Sequence, residues 1–498
     1  MALRSLRKST ANRRAAPGFR RIEISHGSSK ATGTAGQFAR RLENRREYPR
    51  FDRMPDLEGK VPSANTIVSY QSLTKPFSSV DALLDITSQA ARQVIADPTT
   101  ADARVADVKA GLEAMRIAQG NFPQVMHTPR DATAALLQTH VAGQASAQNK
   151  LESFLLKSVD NVLEFFDVRF SQEDWLGYAV SFFTWIEDIV PAARPPAANT
   201  PEPIPNSCDL ALLGDAGTGL YGAPVCAQSI ATDPDGYNLL LHLGDVYYSG
   251  LPEEVQNRFL DVLKDVKIAT RRSLNGNHEM YTGGHGYFET LLPAFGQTSS
   301  YFALQNDFWL LVGLDTAYKQ ALGGQEGVID PDQVSWLEPI LSAAGNRKVV
   351  FFTHHQPFTL LDDNHGGNLI PALGEFLDAG KVFAWYWGHE HRCVLYDRHP
   401  QYRFYGRCVG HGGFPQARPD LGNAPGSDQF GSQWRYLNGS ADGSIPGGLV
   451  LDTPNLYIPG FETAFSPHGF MRLEFRNDQL TEFVRAADNA NIYLNGLA

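Results

Sequence analysis

The sequence predicts an α/β layered domain preceded by an all-α N-terminal domain, and three observations predict it. Four short, nearly continuous apolar runs lie downstream of residue 207: LALLGD (210–215), YNLLLHLGD (237–245), RKVVFFTHH (347–355) and KVFAWYWGH (381–389). Runs of this length and continuity are those of strands buried on both faces. Upstream, apolar residues recur at intervals of three and four, the helical period. Between the two textures lies PAARPPAANTPEPIP, residues 191–205, whose six prolines exclude a helix or a central strand.

In chain order, residues 1–60 read as a basic tail, 61–190 as a helical domain, 191–206 as a Pro-rich linker and 207–498 as the α/β domain. From Ser79, the spacing of Val80, Leu83, Leu84, Ala91, Val94 and Ile95 predicts a helix that Pro98 ends. Val105, Val108, Leu112 and Met115 predict a second, closed by Gly120. A third is expected over Leu151 to Phe166 and a fourth from Ser171 to Ile189. None of these helices carries a cluster of chemically active residues. Within the α/β domain, helical patterns open near Glu253 and, with Asp330 before Pro331, near Val334. Strands alternating with such helices make a layered α/β fold. Near the C-terminus, FMRLEFRNDQLTEFVR reads as an antiparallel hairpin turning at Asn477-Asp478.

Composition excludes several classes. The net charge of −11 hides an asymmetry: residues 1–53 hold 14 Lys and Arg against 4 Asp and Glu, which leaves 29 basic and 50 acidic residues on the rest. An acidic body does not read as a nucleic-acid binder, and the basic arm, poor in apolar residues, reads as disordered, with contact to nucleic acid, a membrane or an acidic partner as the alternatives. No apolar run reaches the ~18 residues that a membrane span requires. No secretory signal is legible, so a cytoplasmic protein is the default expectation, and an Arg-rich, Ser-bearing, acid-poor N-terminus is also compatible with an organelle transit peptide. Four cysteines, Cys208, Cys226, Cys393 and Cys408, show no C-x-x-C spacing and read as buried free thiols, with a Cys393–Cys408 or Cys208–Cys226 disulfide as the alternative.

Chemistry gathers at the ends of the buried runs. They finish in Gly214-Asp215, Gly244-Asp245, His354-His355 and Gly388-His389-Glu390-His391, and the loop LNGNHE places Asn277, His278 and Glu279 between the second and third. In open α/β sheets, sites form outside the carboxyl ends of strands, so these groups are expected to converge in one crevice. Carboxylate, amide and imidazole together are the donors of a metal centre. Adjacent side chains on a strand point opposite ways, so only one of His354 and His355 faces that crevice. A Ser-His-Asp hydrolase has no support, because no G-x-S-x-G sequence occurs.

The ordered series Gly214-Asp215, Gly244-Asp245, Gly276-Asn277-His278-Glu279, His354 and Gly388-His389-x-His391 resembles the calcineurin-like metallophosphoesterases over roughly residues 207–412. The usual first motif of that family is Asp-x-His, and here Asp215-Ala216-Gly217 lacks the histidine. Tyr248, three residues after Asp245, resembles the tyrosine of the purple acid phosphatase branch. The resemblance implies a four-layer α/β/β/α sandwich and two metal ions. Asp215, Asp245, Tyr248 and His391 would hold the first; Asp245 would bridge to a second held by Asn277, His354 and His389. It implies Fe(III) with Zn(II), Mn(II) or Fe(II), and His278 as the catalytic group. The match to T-H-x-x-P, through Thr353 and Pro357, favours His354 over His355 as the ligand. His355 and His411 are candidates to face the substrate, His411 from the rim of the pocket. The implied activity is hydrolysis of small phosphate esters, foremost monoesters, by metal-activated hydroxide. A phosphodiesterase or nucleotidase on the same site is the alternative within enzymes, and an idle metal-binding protein that recruits a partner is the alternative outside them.

Overall fold

Alternation along the buried strands decides the architecture. The computed structural model describes residues 79–119, 190–320, 326–361, 368–418, 426–427, 432–458 and 461–497. In β2 (Ser207–Leu213), Leu210 and Leu212 face one core while Ala211 and Leu213 face another. In β7 (Lys348–Thr353), Val350 and Phe352 join the first core, and Val349 and Phe351 join a third. The same split divides Ala384 and Tyr386 from Trp385 and Trp387 in β8 (Val382–Trp387). Successive side chains point to opposite faces of a strand, so an apolar run without interruption needs apolar cover on both sides.

The result is two sheets packed face to face with helices outside. A six-stranded sheet runs β16 (Asn491–Leu497), β15 (Gln479–Ala486), β14 (Gly469–Arg476), β2, β3 (Leu239–His242), β4 (Thr270–Ser273). A ten-stranded sheet runs β1 (Glu202–Pro203), β5 (Phe302–Gln305), β6 (Trp309–Leu314), β7, β8, β10 (Tyr405–Val409), β9 (Cys393–Arg398), β13 (Gly448–Leu451), β12 (Gln433–Leu437), β11 (Gly426–Ser427). The core between them contains Leu210, Leu241, Phe352, Tyr386 and Leu473. Outside the small sheet lie α3 (Gly222–Thr232) and the helical turns around Val255–Leu260, which bury Val225, Ile230 and Phe259. Outside the large sheet lie α4 (Pro331–Ser342) and α5 (Leu369–Asp378), which bury Leu337 and Leu373. Each such Leu, Val or Phe contributes roughly 1.5–3 kcal/mol by leaving water. The expected four-layer sandwich is thus the observed one.

Local signals set several boundaries. Asp330 caps α4, accepting from the amides of Asp332 and Gln333, with Pro331 at the first helical position. The hairpin pairs Arg476 with Gln479 across Asn477, whose φ of 52° is the left-handed conformation Asn tolerates. In the N-terminal region α1 (Val80–Val94) starts at Ser79, whose side chain accepts from the Ala82 amide, and α2 (Pro98–Gln119) starts at the proline expected to end the first helix. The expected third and fourth helices and the basic tail lie outside the described residues. Among those residues no helix is long and apolar enough to cross a membrane. All four cysteines are buried and unpaired.

The proline-rich stretch is laid along the α/β domain. Ala192 donates its amide to Gly283, Arg194 lies 2.6 Å from Asp330 and over the Tyr318 ring, and Trp336 donates to the Ala198 carbonyl. Glu202–Pro203 then joins the large sheet as its edge strand, where a proline's missing donor is tolerated. A segment with this many anchors is a strap rather than a free hinge.

Candidate metal centre

Parallel pairing brings the carboxyl ends of β2, β3 and β4 to one side of the small sheet, and pairing of β6, β7, β8 and β10 does the same in the large one. The motif residues follow directly after those ends. Four of them hold positive φ: Asp215 at 55°, Asp245 at 76°, His389 at 68° and His391 at 54°. Non-glycine residues rarely adopt this region, and such outliers cluster where function holds them. Glycines make the room. A Cβ on Gly276 would lie 2.2 Å from Asp245 Oδ1, and one on Gly388 would lie 2.6 Å from Asp215 Oδ2. We therefore expect Gly276→Ala to displace the Asp245 carboxylate and weaken ion binding at the second set described below, as read by metal analysis. An unchanged metal content would show that the loop shifts freely.

Two sets of donor atoms result, sharing Asp245. In the first, the Tyr247 hydroxyl lies 3.3 Å from Asp215 Oδ1, 3.2 Å from Asp245 Oδ2 and 3.0 Å from His391 Nε2, and His391 Nε2 lies 3.4 Å from Asp215 Oδ1. In the second, His354 Nε2 lies 2.8 Å from Asn277 Oδ1, 3.2 Å from His389 Nδ1 and 3.3 Å from Asp245 Oδ1, and His389 Nδ1 lies 3.0 Å from Asn277 Oδ1. Every one of these residues is buried.

The second set fits a cation by the logic of its protons. Asn277 Nδ2 is 2.6 Å from the Tyr281 hydroxyl, so Oδ1 is the atom turned inward. His354 Nδ1 is 2.8 Å from the Leu243 carbonyl and must carry the proton, which leaves Nε2 as a lone pair. His389 Nε2 is 2.7 Å from a Glu326 carboxylate oxygen, and the tautomer with its proton on Nε2 has Nδ1 as a lone pair. With that tautomer, four acceptors face one another with no proton among them. Donors held about 2.1 Å from one ion are spaced about 3.0–3.4 Å apart, depending on its geometry, and the 3.0, 3.2 and 3.3 Å spacings fall in that range, with the 2.8 Å one just below it. In the first set one phenol, two carboxylates and an imidazole meet, a donor set suited to a hard cation.

The site departs from the sequence expectation at two places. The phenol among the first set is that of Tyr247, and the Tyr248 hydroxyl is buried away from it, beside Leu220 and under Arg258. The loop is pinned so by Glu254, whose carboxylate accepts the amides of Tyr248, Ser249 and Leu251, and by Arg258, which donates to the Tyr247 carbonyl. His411 is not at a rim: it is fully buried, with Nε2 3.0 Å from where a Cβ on Gly469 would stand, and burial holds its pKa down at about 3. His355 flanks the second set. Its ring centre is 4.6 Å from that of His389, and its Nδ1 meets the Thr316 hydroxyl.

The remaining expected residues are brought together. His278 Nδ1 is anchored 2.6 Å from the Tyr248 carbonyl, which turns Nε2 toward Asp245 Oδ2 at 3.9 Å. Burial lowers its pKa, opposed by Asp245. The Asp245 carboxyl is held well below the usual range: burial works against ionisation, and the imidazoles of His354, His278, His391 and His389 outweigh it. Glu279 accepts the amides of Asp245 and Gly276, and burial together with Asp245 pushes its carboxyl well up. Glu390, itself buried, accepts from Thr359 and Trp387. No sequence signal marks Glu254, Arg258 or Glu326; Tyr247 was visible only as the neighbour of a better-matched tyrosine.

Residues 210–393 match the family described as calcineurin-like phosphoesterase. A glycerophosphodiester phosphodiesterase, GpdQ, of Enterobacter lignolyticus (strain SCF1) is 27% identical over 164 residues, covering 30% of this chain and 55% of its own. Among solved structures, purple acid phosphatase PPD1 from yellow lupin (Lupinus luteus) seeds aligns with 14% identity and a TM-score of 0.41 over 59% of this chain and 54% of its own. A dimetal phosphatase from Danio rerio aligns with 12% identity and a TM-score of 0.38 over 58% and 98%. The chain thus spans about half the length of the GpdQ and PPD1 chains it matches.

Proposed function

We propose, for a chain whose residues 210–393 match the calcineurin-like phosphoesterases, that it hydrolyses phosphate esters at a dinuclear centre, with monoesters as its foremost substrates. The observation that carries this reading is the pair of donor sets that share Asp245, one oxygen to each. Asp215, Asp245, Tyr247 and His391 would hold one ion, and Asp245, Asn277, His354 and His389 the other. The hard phenolate and carboxylates suit Fe(III); the imidazoles and amide suit Zn(II), Mn(II) or Fe(II). Such a pair supplies Lewis acidity, which neutralises phosphoryl oxygens and lowers the pKa of water.

The chain's own residues do the rest. The Asp215 carboxylate accepts the His389 amide at 2.9 Å and the Asp245 carboxylate accepts the His278 amide at 3.3 Å, while the Asp245 amide donates to Glu279, so both carboxylates are restrained. Preorganisation of this kind removes the cost of reorienting groups during reaction. His278 Nδ1 donates to the Tyr248 carbonyl, so its Nε2, on the same face, holds a phosphoryl oxygen or passes a proton to the leaving one only as the imidazolium. His355, beside His389, is placed to meet the substrate next to it. Diester hydrolysis is a second reading, favoured by the name of the GpdQ relative.

Purified protein assayed with mono- and diester substrates, beside metal analysis and a visible spectrum, tests the proposal. Wild type without metal and without hydrolysis would sink it. A tyrosinate–Fe(III) centre gives a purple band, and that band is expected to vanish in Tyr247→Phe and persist in Tyr248→Phe. The reverse would return the ligand to Tyr248.

A further inference from the structure

Glu326 follows strand β6 and the turn after it, far in sequence from every strand-end motif. Its Oε1 lies 2.7 Å from His389 Nε2 and 3.9 Å from His355 Nε2. The backbone around it is anchored: Asn368, just before α5, donates its side-chain amide to the Glu326 carbonyl at 3.1 Å. The next residue, Gly327, turns with φ of 63° against the His355 ring.

An imidazole can present either nitrogen to an ion, and the acceptor at its other nitrogen decides which. His354 is set by a backbone carbonyl, that of Leu243, and His391 Nδ1 faces the Gln416 amide oxygen at 3.3 Å. His389 faces a carboxylate, the acceptor that adds most electron density to the ring. We propose that Glu326 is a positioning residue. It holds the proton of His389 on Nε2, keeps Nδ1 bare toward Asn277 Oδ1 and His354 Nε2, and so sets how tightly the second set holds its ion. This inference rests on the dinuclear reading above.

The test is titration of metal-freed protein with Mn(II) and with Zn(II), followed by calorimetry and by metal analysis after dialysis, in wild type, Glu326→Ala and Glu326→Gln. Circular dichroism checks that each variant is folded. In Glu326→Ala, one equivalent is expected to bind as in wild type and the other about 10–100-fold more weakly. Glu326→Gln still offers an oxygen to Nε2–H and is expected to stay within a few-fold of wild type. Two equivalents bound by Glu326→Ala as tightly as by wild type would overturn this inference and leave the phosphoesterase reading standing. A loss in Glu326→Gln as large as in Glu326→Ala would also overturn it, because Glu326 would then act through its charge and not by holding the Nε2 proton. Wild type that binds no ion would overturn the phosphoesterase reading and this inference with it.

Discussion

Asp245→Asn is expected to lower hydrolysis by at least about 10³-fold, because one carboxylate serves both donor sets and removing a single preorganised electrostatic group already costs about 10²–10³. The amide matches the carboxylate in shape, so the fold should be kept. It differs in charge, and its nitrogen would turn a donor toward either the first set, at Tyr247 and His391, or the second, at His354. Metal content should fall together with activity. Steady-state kinetics and metal analysis on the same preparation check this. A variant that keeps both ions and more than a tenth of wild-type activity would remove Asp245 from the bridging role.

Glu482→Ala is expected to destabilise the α/β domain by about 3–5 kcal/mol, the cost of leaving a buried charge unpaired. Glu482 on β15 of the small sheet accepts from Arg407 Nε at 2.9 Å and Nη2 at 3.0 Å, and from the Tyr386 hydroxyl at 2.7 Å, both on the large sheet. Arg407 also donates to the Tyr396 carbonyl. This is an ionic clamp through the core between the sheets, with both charged side chains buried. Denaturant unfolding should show the loss at the midpoint. A double change, Glu482→Leu with Arg407→Met, should recover most of it, since removing both charges removes the unpaired one. A single-variant loss below about 1 kcal/mol would show that water reaches the pair.

Most of the fold was legible because it rests on short-range pattern. The four apolar runs became β2, β3, β7 and β8, the Asn477-Asp478 turn closed a hairpin, and Asp330-Pro331 opened a helix. The strap at 191–206 was not legible as such. Its proline content excludes regular structure, but its docking depends on Arg194 meeting Asp330 and on Trp336 meeting Ala198, partners more than a hundred residues away. The same division runs through the site. Asp215, Asp245, Asn277, His354, His389 and His391 stand where strands end, and strand ends are visible in one dimension.

By itself, then, the sequence determined the layered fold and that Asp215, Asp245, Asn277, His389, His391 and one of His354 and His355 would meet, because apolar continuity sets the strands and parallel pairing brings their carboxyl ends together. Tertiary structure alone decided which of two adjacent tyrosines turns inward, that His411 is buried rather than exposed at a rim, and that Glu326 stands behind His389. Glu254 and Arg258 hold the Tyr247–Tyr248 loop, Gly469 packs on the His411 ring, and a turn after β6 delivers Glu326. Each depends on a contact between segments that the chain's local pattern leaves independent, and only closure of the two sheets brings those segments within reach.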